Sequence, residues 1–332
     1  MLRTKFAGVG HYLPERVVTN HDLEKMMDTS DEWITERTGI KERRWITEGE
    51  SVSGLAYKAT QMALERANKK AEDIDLIIFA TMASDHEFPG AGCFLQEKLE
   101  IPGVPALDIR NQCSGFVYGL SVADQFIKTG MYKTILLVGA EIQSTSLDLT
   151  TRGRDTAVLF GDGAGAAVLV ASADEKSGVL STHLHADGRY TKKLWAEHPS
   201  VCNFPRRLTP EMLEGDTIYP KMEGRYVFKH AVTKFPEVIQ EALDANGLTV
   251  DDVDLLVPHQ ANLRITEAVA QRLGISMDKV YSNIHKYGNT TAATVPICLS
   301  EAWEEGRIKD GDLVALAAFG SGFTWASALV RW

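Results

Sequence analysis

The chain has 332 residues, of which 44% are hydrophobic, with 35 Lys and Arg against 45 Asp and Glu and a formal net charge of −10. That length and apolar content suit a folded protein of about two domain-sized units and exclude a disordered chain. The acidic balance gives the molecule no overall attraction for nucleic acid or an anionic membrane, so any anionic partner must be met by a local basic patch.

The first ten residues, Met1 to Gly10, lack the continuous apolar core of a signal peptide. Cys93, Cys113, Cys202 and Cys298 are too few and too scattered for a disulfide framework. No CxxC pair offers a metal site, so reduced thiols in a cytoplasmic protein are expected. The first strongly periodic helix carries Leu55, Ala59, Met62 and Ala63 on one face. A turn with paired acids follows, then Leu76 to Ala80, a short apolar run expected as a strand covered on both faces.

This block returns later in the chain. Asp73-Ile74-Asp75-Leu76-Ile77-Ile78 reappears as Asp252-Val253-Asp254-Leu255-Leu256-Val257, a shift of 179 residues. Ala63-Leu64-Glu65 and Ala242-Leu243-Asp244 share the shift, as do Leu120-Ser121 with Ala123 and Leu299-Ser300 with Ala302. Two similar α/β halves, 1–174 and 175–332, are therefore expected, joined at the charged turn from Asp174 to Ser177.

In the first half, Arg110-Asn111-Gln112-Cys113-Ser114-Gly115-Phe116 precedes a helix from Val117 to Lys128. Cys113 then sits near a helix N-terminus, where the dipole and free N–H groups favour a thiolate, although a buried core cysteine would give the same pattern. The segment from Asp187 to Pro220 has no counterpart in the first half and reads either as a loop over a site or as a solvated excursion.

In the second half, His259 directly follows the strand Leu255 to Val257, at the position of Ala80 in the first repeat. That is the C-terminal edge of a sheet, where open α/β folds gather ligands, and a structural histidine also fits there. Asn289, in Tyr287-Gly288-Asn289-Thr290, maps onto residue 110, in the turn that carries Cys113. Pseudo-twofold packing of the halves would bring Cys113 and Asn289 face to face with His259 beside them; a turn or helix cap is the other reading of Asn289. The uncharged run Leu313 to Val330 is long enough for a membrane span, but Gly320-Ser321-Gly322 interrupts it and its small and β-branched residues suit two buried strands. Glycines on both sides of Ser321 either free its N–H to serve an oxyanion or simply make a hairpin.

Taken together, several motifs resemble the β-ketoacyl-acyl-carrier-protein synthase III family, thiolase-superfamily condensing enzymes. They are Thr29-Ser30-Asp31-Glu32-Trp33-Ile34 with Arg37-Thr38-Gly39-Ile40, Phe160-Gly161-Asp162-Gly163, Pro258-His259-Gln260-Ala261-Asn262, Gly288-Asn289-Thr290 and Gly322-Phe323-Thr324-Trp325. The resemblance spans essentially the whole chain and implies a thiolase-like α/β fold with two duplicated halves in α-β-α-β-α layers. It implies Cys113 as acyl-accepting nucleophile, His259 and Asn289 as the pair promoting decarboxylation, and the N–H groups of Cys113 and Ser321 as the oxyanion hole. Elongating synthases, which resemble this family, carry a second histidine where Asn289 stands. Ser321 replaces a glycine often found there, a harmless change where only the N–H is used.

The resemblance further implies Trp33 stacking on the adenine of coenzyme A with Arg37 beside it, and Thr29, Met222, Gly224 and Asn262 along the coenzyme channel. The second adenine-side arginine is Arg152 or Arg154, and counting back from Phe160-Gly161-Asp162 favours Arg154. Phe88 resembles an aromatic at the subunit interface and acyl pocket, whose depth also depends on Phe160; Arg264 resembles part of a carrier-docking patch. Arg272, eight residues on, lies on nearly the same helical face, and two solvated arginines are the alternative. The implied substrates are an acyl-CoA, with acetyl as the expected group, and malonyl-acyl-carrier protein, with a homodimer as the assembly and no metal or other cofactor. A specialised relative using longer primers, and a silent acyl-CoA-binding subunit, are the competing readings. The second would have lost Cys113 or His259, and both are present.

Overall fold

The structure, a computed structural model, describes residues 2–332. Its organising units are the two apolar repeats. Leu76–Ala80 is buried at every position and lies parallel to both neighbours, Ala106–Ile109 and Thr134–Glu141. Gly163–Ser172 and Arg3–Tyr12 extend this sheet antiparallel, giving five strands. In the second half Leu255–Pro258 pairs parallel with Leu313–Gly320, followed by the antiparallel strands Thr324–Arg331 and Gly178–Ala186. The four strands of the second sheet thus repeat the order of their equivalents in the first. The uncharged C-terminal run is a hairpin turning at Ser321 to Phe323.

The shift of 179 holds beyond the matching residues. Thr134–Glu141 corresponds to Leu313–Gly320, and the helix Gly115–Lys128 begins at the counterpart of Thr294, where Thr294–Glu304 begins. These two helices are apolar nearly all round and lie between the sheets, packed on Leu137 and Leu169 from one and on Leu316 and Ala328 from the other. Val52–Arg66 and Ala91–Lys98 cover the outer face of the first sheet, and Gly224–Ala245 and Leu263–Leu273 that of the second. Five layers result, helix, sheet, helix, sheet, helix, as the sequence leads one to expect.

Burial of an Ile or Leu side chain contributes on the order of 1.5–3 kcal/mol, so the two sandwiched helices dominate the cohesion between the halves. Caps delimit the outer helices: Ser51 accepts the Gly54 N–H at 3.1 Å, and Asn262 accepts the Arg264 N–H at 2.9 Å. Gly39, at φ 78°, ends the helix Asp31–Thr38, which packs with the N-terminal loops on Val158 to Phe160 and on Ile284. The segment 187–220 is loosely built. Leu194–Trp195 pairs with Lys221–Met222, whereas Val201 and Phe204 stand 76% and 97% exposed. Its Arg207 reaches Glu87 at 3.1 Å, beside Phe88. No helix among the described residues is long and apolar enough to cross a membrane.

Candidate active site

Cys113 lies in the tight turn Gln112–Ser114 that opens the central helix Gly115–Lys128. The preceding Gln112 has φ 43°, and Thr291, its counterpart 179 residues on, has φ 48°. Two non-glycine residues in the left-handed region at equivalent points show that both halves build the same strained turn before a central helix. One turn presents Cys113 and the other presents Asn289. Space around the thiol is minimal: a Cβ added at Gly320 would sit 2.6 Å from the Cys113 Cβ and 3.1 Å from its sulfur. Glycine is required there by close approach, not by φ.

The helix N-terminus does not make Cys113 a thiolate. Burial pushes its thiol up to about 12, and Glu141 adds to the shift, whereas the backbone N–H groups of Cys113 and Ser321 pull the other way. This corrects the sequence expectation, because desolvation of a buried anion outweighs a dipole of about half a charge. The same two N–H groups converge on the sulfur, the arrangement expected for an oxyanion site. The Ser321 side chain faces away, its hydroxyl donating to the Leu194 carbonyl.

His259 ends the strand Leu255–Pro258, its N–H bonded to the Ala317 carbonyl at 2.8 Å, and is 2% exposed. Burial lowers its imidazole to about 3, with the Thr291 carbonyl opposing slightly, so the ring is neutral with one N–H. Its Nδ1 lies 2.6 Å from the Thr294 hydroxyl, and its Nε2 has no protein partner. Asn289 is fixed by the same turn, since its Oδ1 accepts the Thr291 N–H at 2.8 Å. That bond leaves the amide Nδ2 as the group free to donate.

Cys113, His259 and Asn289 line one cavity of about 620 Å³. Of the other residues singled out from sequence, Trp33, Arg37, Phe160, Met222, Gly224, Asn262 and Arg264 line it too. Trp33 is flanked by two guanidinium groups, Arg37 at 4.7 Å and Arg154 at 4.8 Å from the ring centroid. Arg152 turns elsewhere, paired with Asp148 at 2.6 Å and lying over Tyr219. Geometry therefore selects Arg154 as the arginine beside Trp33. Thr29 lies outside the cavity lining, its buried hydroxyl without a partner. Phe88 is also outside and 82% exposed. Arg272 does not share a mouth with Arg264; its guanidinium donates to the Val232 carbonyl at 2.9 Å and ties two helices together.

Leu194 joins the cavity wall, so the segment 187–220 does reach the site. Thr294 bonds His259, Thr291 bonds Asn289, and Glu141 raises the Cys113 thiol through its charge, without any sequence motif to mark the three. The repeat pairs Thr294 with Gly115 and Glu141 with Gly320, and a glycine counterpart gives no sign of their chemistry. No group of three or more His, Cys, Asp or Glu among the described residues is arranged to hold a metal ion.

Two family models match the chain. "3-Oxoacyl-[acyl-carrier-protein (ACP)] synthase III" covers residues 107–188, and the C-terminal model of the same family covers residues 243–332. The β-ketoacyl-[acyl-carrier-protein] synthase III of Escherichia coli strain K12 is 50% identical over 328 residues, 99% of each chain, as is that of Shigella flexneri. Among solved structures, the 3-oxoacyl-[acyl-carrier-protein] synthase III of Aquifex aeolicus VF5 superposes with a TM-score of 0.91 at 46% identity, covering 99% of this chain and 100% of that one. The Thermus thermophilus β-ketoacyl synthase III gives 0.90 at 43% identity, covering 99% of both chains.

Proposed function

This chain belongs to the 3-oxoacyl-[acyl-carrier-protein] synthase III family, and we propose on that premise a two-step reaction in which Cys113 carries the acyl group. The protein is an acyltransferase with a thiolase-like fold. It condenses an acyl-CoA primer, here assigned as acetyl-CoA, with malonyl-acyl-carrier protein, the step that initiates fatty acid synthesis. The observation that carries the two-step reading is the convergence of Cys113, His259 and Asn289 on one cavity, with two backbone N–H groups directed at the sulfur.

In the first step the Cys113 sulfur bonds to the thioester carbon, and the N–H groups of Cys113 and Ser321 hold the tetrahedral oxyanion. The bond to the coenzyme sulfur then breaks. Because the resting group is a neutral thiol, one proton leaves Cys113 and one arrives on the departing coenzyme A. In the second step His259 and Asn289 donate to the thioester carbonyl of the malonyl group, which stabilises the enolate left as carbon dioxide departs. That carbon displaces Cys113 from the acyl group as thiolate and gives a 3-oxoacyl-carrier protein, and Cys113 takes up one proton to regain its neutral thiol. Carbon–carbon bonds are exchanged without net oxidation, so the balance calls for no redox cofactor or metal.

The halves divide this labour, 1–174 supplying the nucleophile and 175–332 the decarboxylation pair. Trp33, between Arg37 and Arg154, supports adenine binding at the mouth, with Met222, Gly224 and Asn262 along the pantetheine path and Phe160 at the acyl end, whereas Thr29, outside the lining, has no such support. Exposed Arg264 at the cavity lining supports docking of an acidic carrier by a net acidic enzyme, since repulsion beyond roughly 10 Å is screened at physiological salt. The 82% exposure of Phe88 supports a homodimer that covers it. Four free cysteines support a cytoplasmic setting. Intact mass spectrometry after mixing with acetyl-CoA tests the first step: the wild type should gain one acetyl group and Cys113→Ala none. Labelling retained in that variant would move the nucleophile to another residue.

A further inference from the structure

A neutral histidine has one proton for two ring nitrogens, and whether His259 is a donor or an acceptor toward the cavity depends on where that proton sits. The proposed second step needs it on Nε2, because a carbonyl oxygen held between His259 and Asn289 requires two donors. Asn289 meets this requirement through the turn: the Thr291 N–H occupies its Oδ1 at 2.8 Å and leaves Nδ2 toward the cavity. The corresponding control on His259 falls to a single side chain, Thr294, whose Oγ1 is 2.6 Å from Nδ1.

Thr294 has one hydroxyl proton and two acceptors within reach, His259 Nδ1 at 2.6 Å and the Thr291 carbonyl at 3.0 Å. The carbonyl does not depend on the hydroxyl, because it already accepts the backbone N–H of Thr294. The ring nitrogen has no other side-chain partner, and all these groups are buried, so water does not compete for the hydroxyl proton. The shorter contact and the satisfied carbonyl both direct the hydroxyl proton to Nδ1. Nε2 then carries the ring proton and, having no protein partner, is free for the substrate.

We propose that Thr294 is a positioning residue that donates its hydroxyl to His259 Nδ1 and so fixes the histidine as an Nε2–H donor matched to Asn289 Nδ2. One turn and the first residue of one helix thereby prepare both donors: Thr291 acts through its N–H on the asparagine and Thr294 through its hydroxyl on the histidine. The inference rests on the two-step reading above and concerns its second step alone. With the hydroxyl removed, the partner remaining for Nδ1 is the Thr291 carbonyl, an acceptor. The proton would move to Nδ1, and a bare Nε2 would repel the substrate oxygen.

Thr294→Val keeps the branched shape and removes the hydroxyl, whereas Thr294→Ser keeps the hydroxyl. The protein labelled with 13C and 15N at histidine, with the His259 signals assigned by their loss in His259→Asn, reports the tautomer directly. The wild type and Thr294→Ser should show the Nε2–H form and Thr294→Val the Nδ1–H form. In single-turnover assays Thr294→Val should acetylate Cys113 at the wild-type rate and transfer the acetyl group to malonyl-acyl-carrier protein about 100-fold more slowly, the loss expected for one transition-state donor. An Nδ1–H wild type would overturn the proposal, and that spectrum decides even if the valine variant fails to fold. Transfer at the wild-type rate by Thr294→Val, or equal loss in both steps, would overturn it too. A wild type that never acetylates would instead count against the two-step reading.

Discussion

Cys113 and His259 carry opposite lessons about burial at the scale of single residues. Their identities were legible because a cysteine before a helix and a histidine after a strand each sit at the end of an element that the repeat delimits. Their protonation states were not, because desolvation depends on what packs around them, and residues as distant as Ser321 and Glu141 contribute to the thiol. A thiol pushed up to about 12 has little thiolate at neutral pH, and alkylation proceeds through the thiolate. The rate of Cys113 carbamidomethylation by iodoacetamide, read peptide by peptide to separate it from exposed Cys93 and Cys202, should therefore keep rising through pH 9. A plateau near pH 7 would mean that the helix terminus, not burial, sets the thiol.

Helices and strands of the two halves were largely visible through one shift of 179 residues, which also placed His259 at a sheet edge. Hidden from that comparison were positions where the halves differ in chemistry. The strand Thr134–Glu141 ends in a carboxyl where its counterpart ends in Gly320, and Glu141 is fully buried. Burial raises its carboxyl to about 8, against hydrogen bonds from the Met82 N–H and from the Thr81 and Gln143 side chains. An unfolded carboxyl ionises near 4.5, so between that pH and about 8 the folded protein holds the extra proton. Stability contributed by this group accordingly falls as pH rises through that window. Glu141→Gln removes the titration, and Asp108 and Asp162, also raised by burial, are unchanged in it. Urea unfolding at pH 6.5 and pH 8 should show a smaller loss of stability in Glu141→Gln than in the wild type. Equal losses would place the ionisation of Glu141 below this range.

Across the whole molecule, the five layers exist to bring two strained turns, one from each half, against a single cavity. The symmetry argument from sequence reached Cys113 and Asn289 because the duplication preserves backbone geometry. It could not reach Thr294, whose contact with His259 spans 35 residues, or the path of the segment 187–220, which has no counterpart to be compared with. It also put Arg272 beside Arg264, whereas the adjacent helix Gly224–Ala245 captures Arg272 through the Val232 carbonyl. The central claim is that one half holds the acyl group and the other prepares the malonyl carbon. It is tested most directly by acetylating the enzyme, removing coenzyme A and adding malonyl-acyl-carrier protein in a single turnover. The wild type should lose its acetyl group as 3-oxobutyryl-carrier protein and carbon dioxide appear in equal amounts. His259→Ala and Asn289→Ala should acetylate normally and transfer about 100-fold more slowly. An acetyl group that persists on the wild type, or variants that lose acetylation as severely as transfer, would contradict the account.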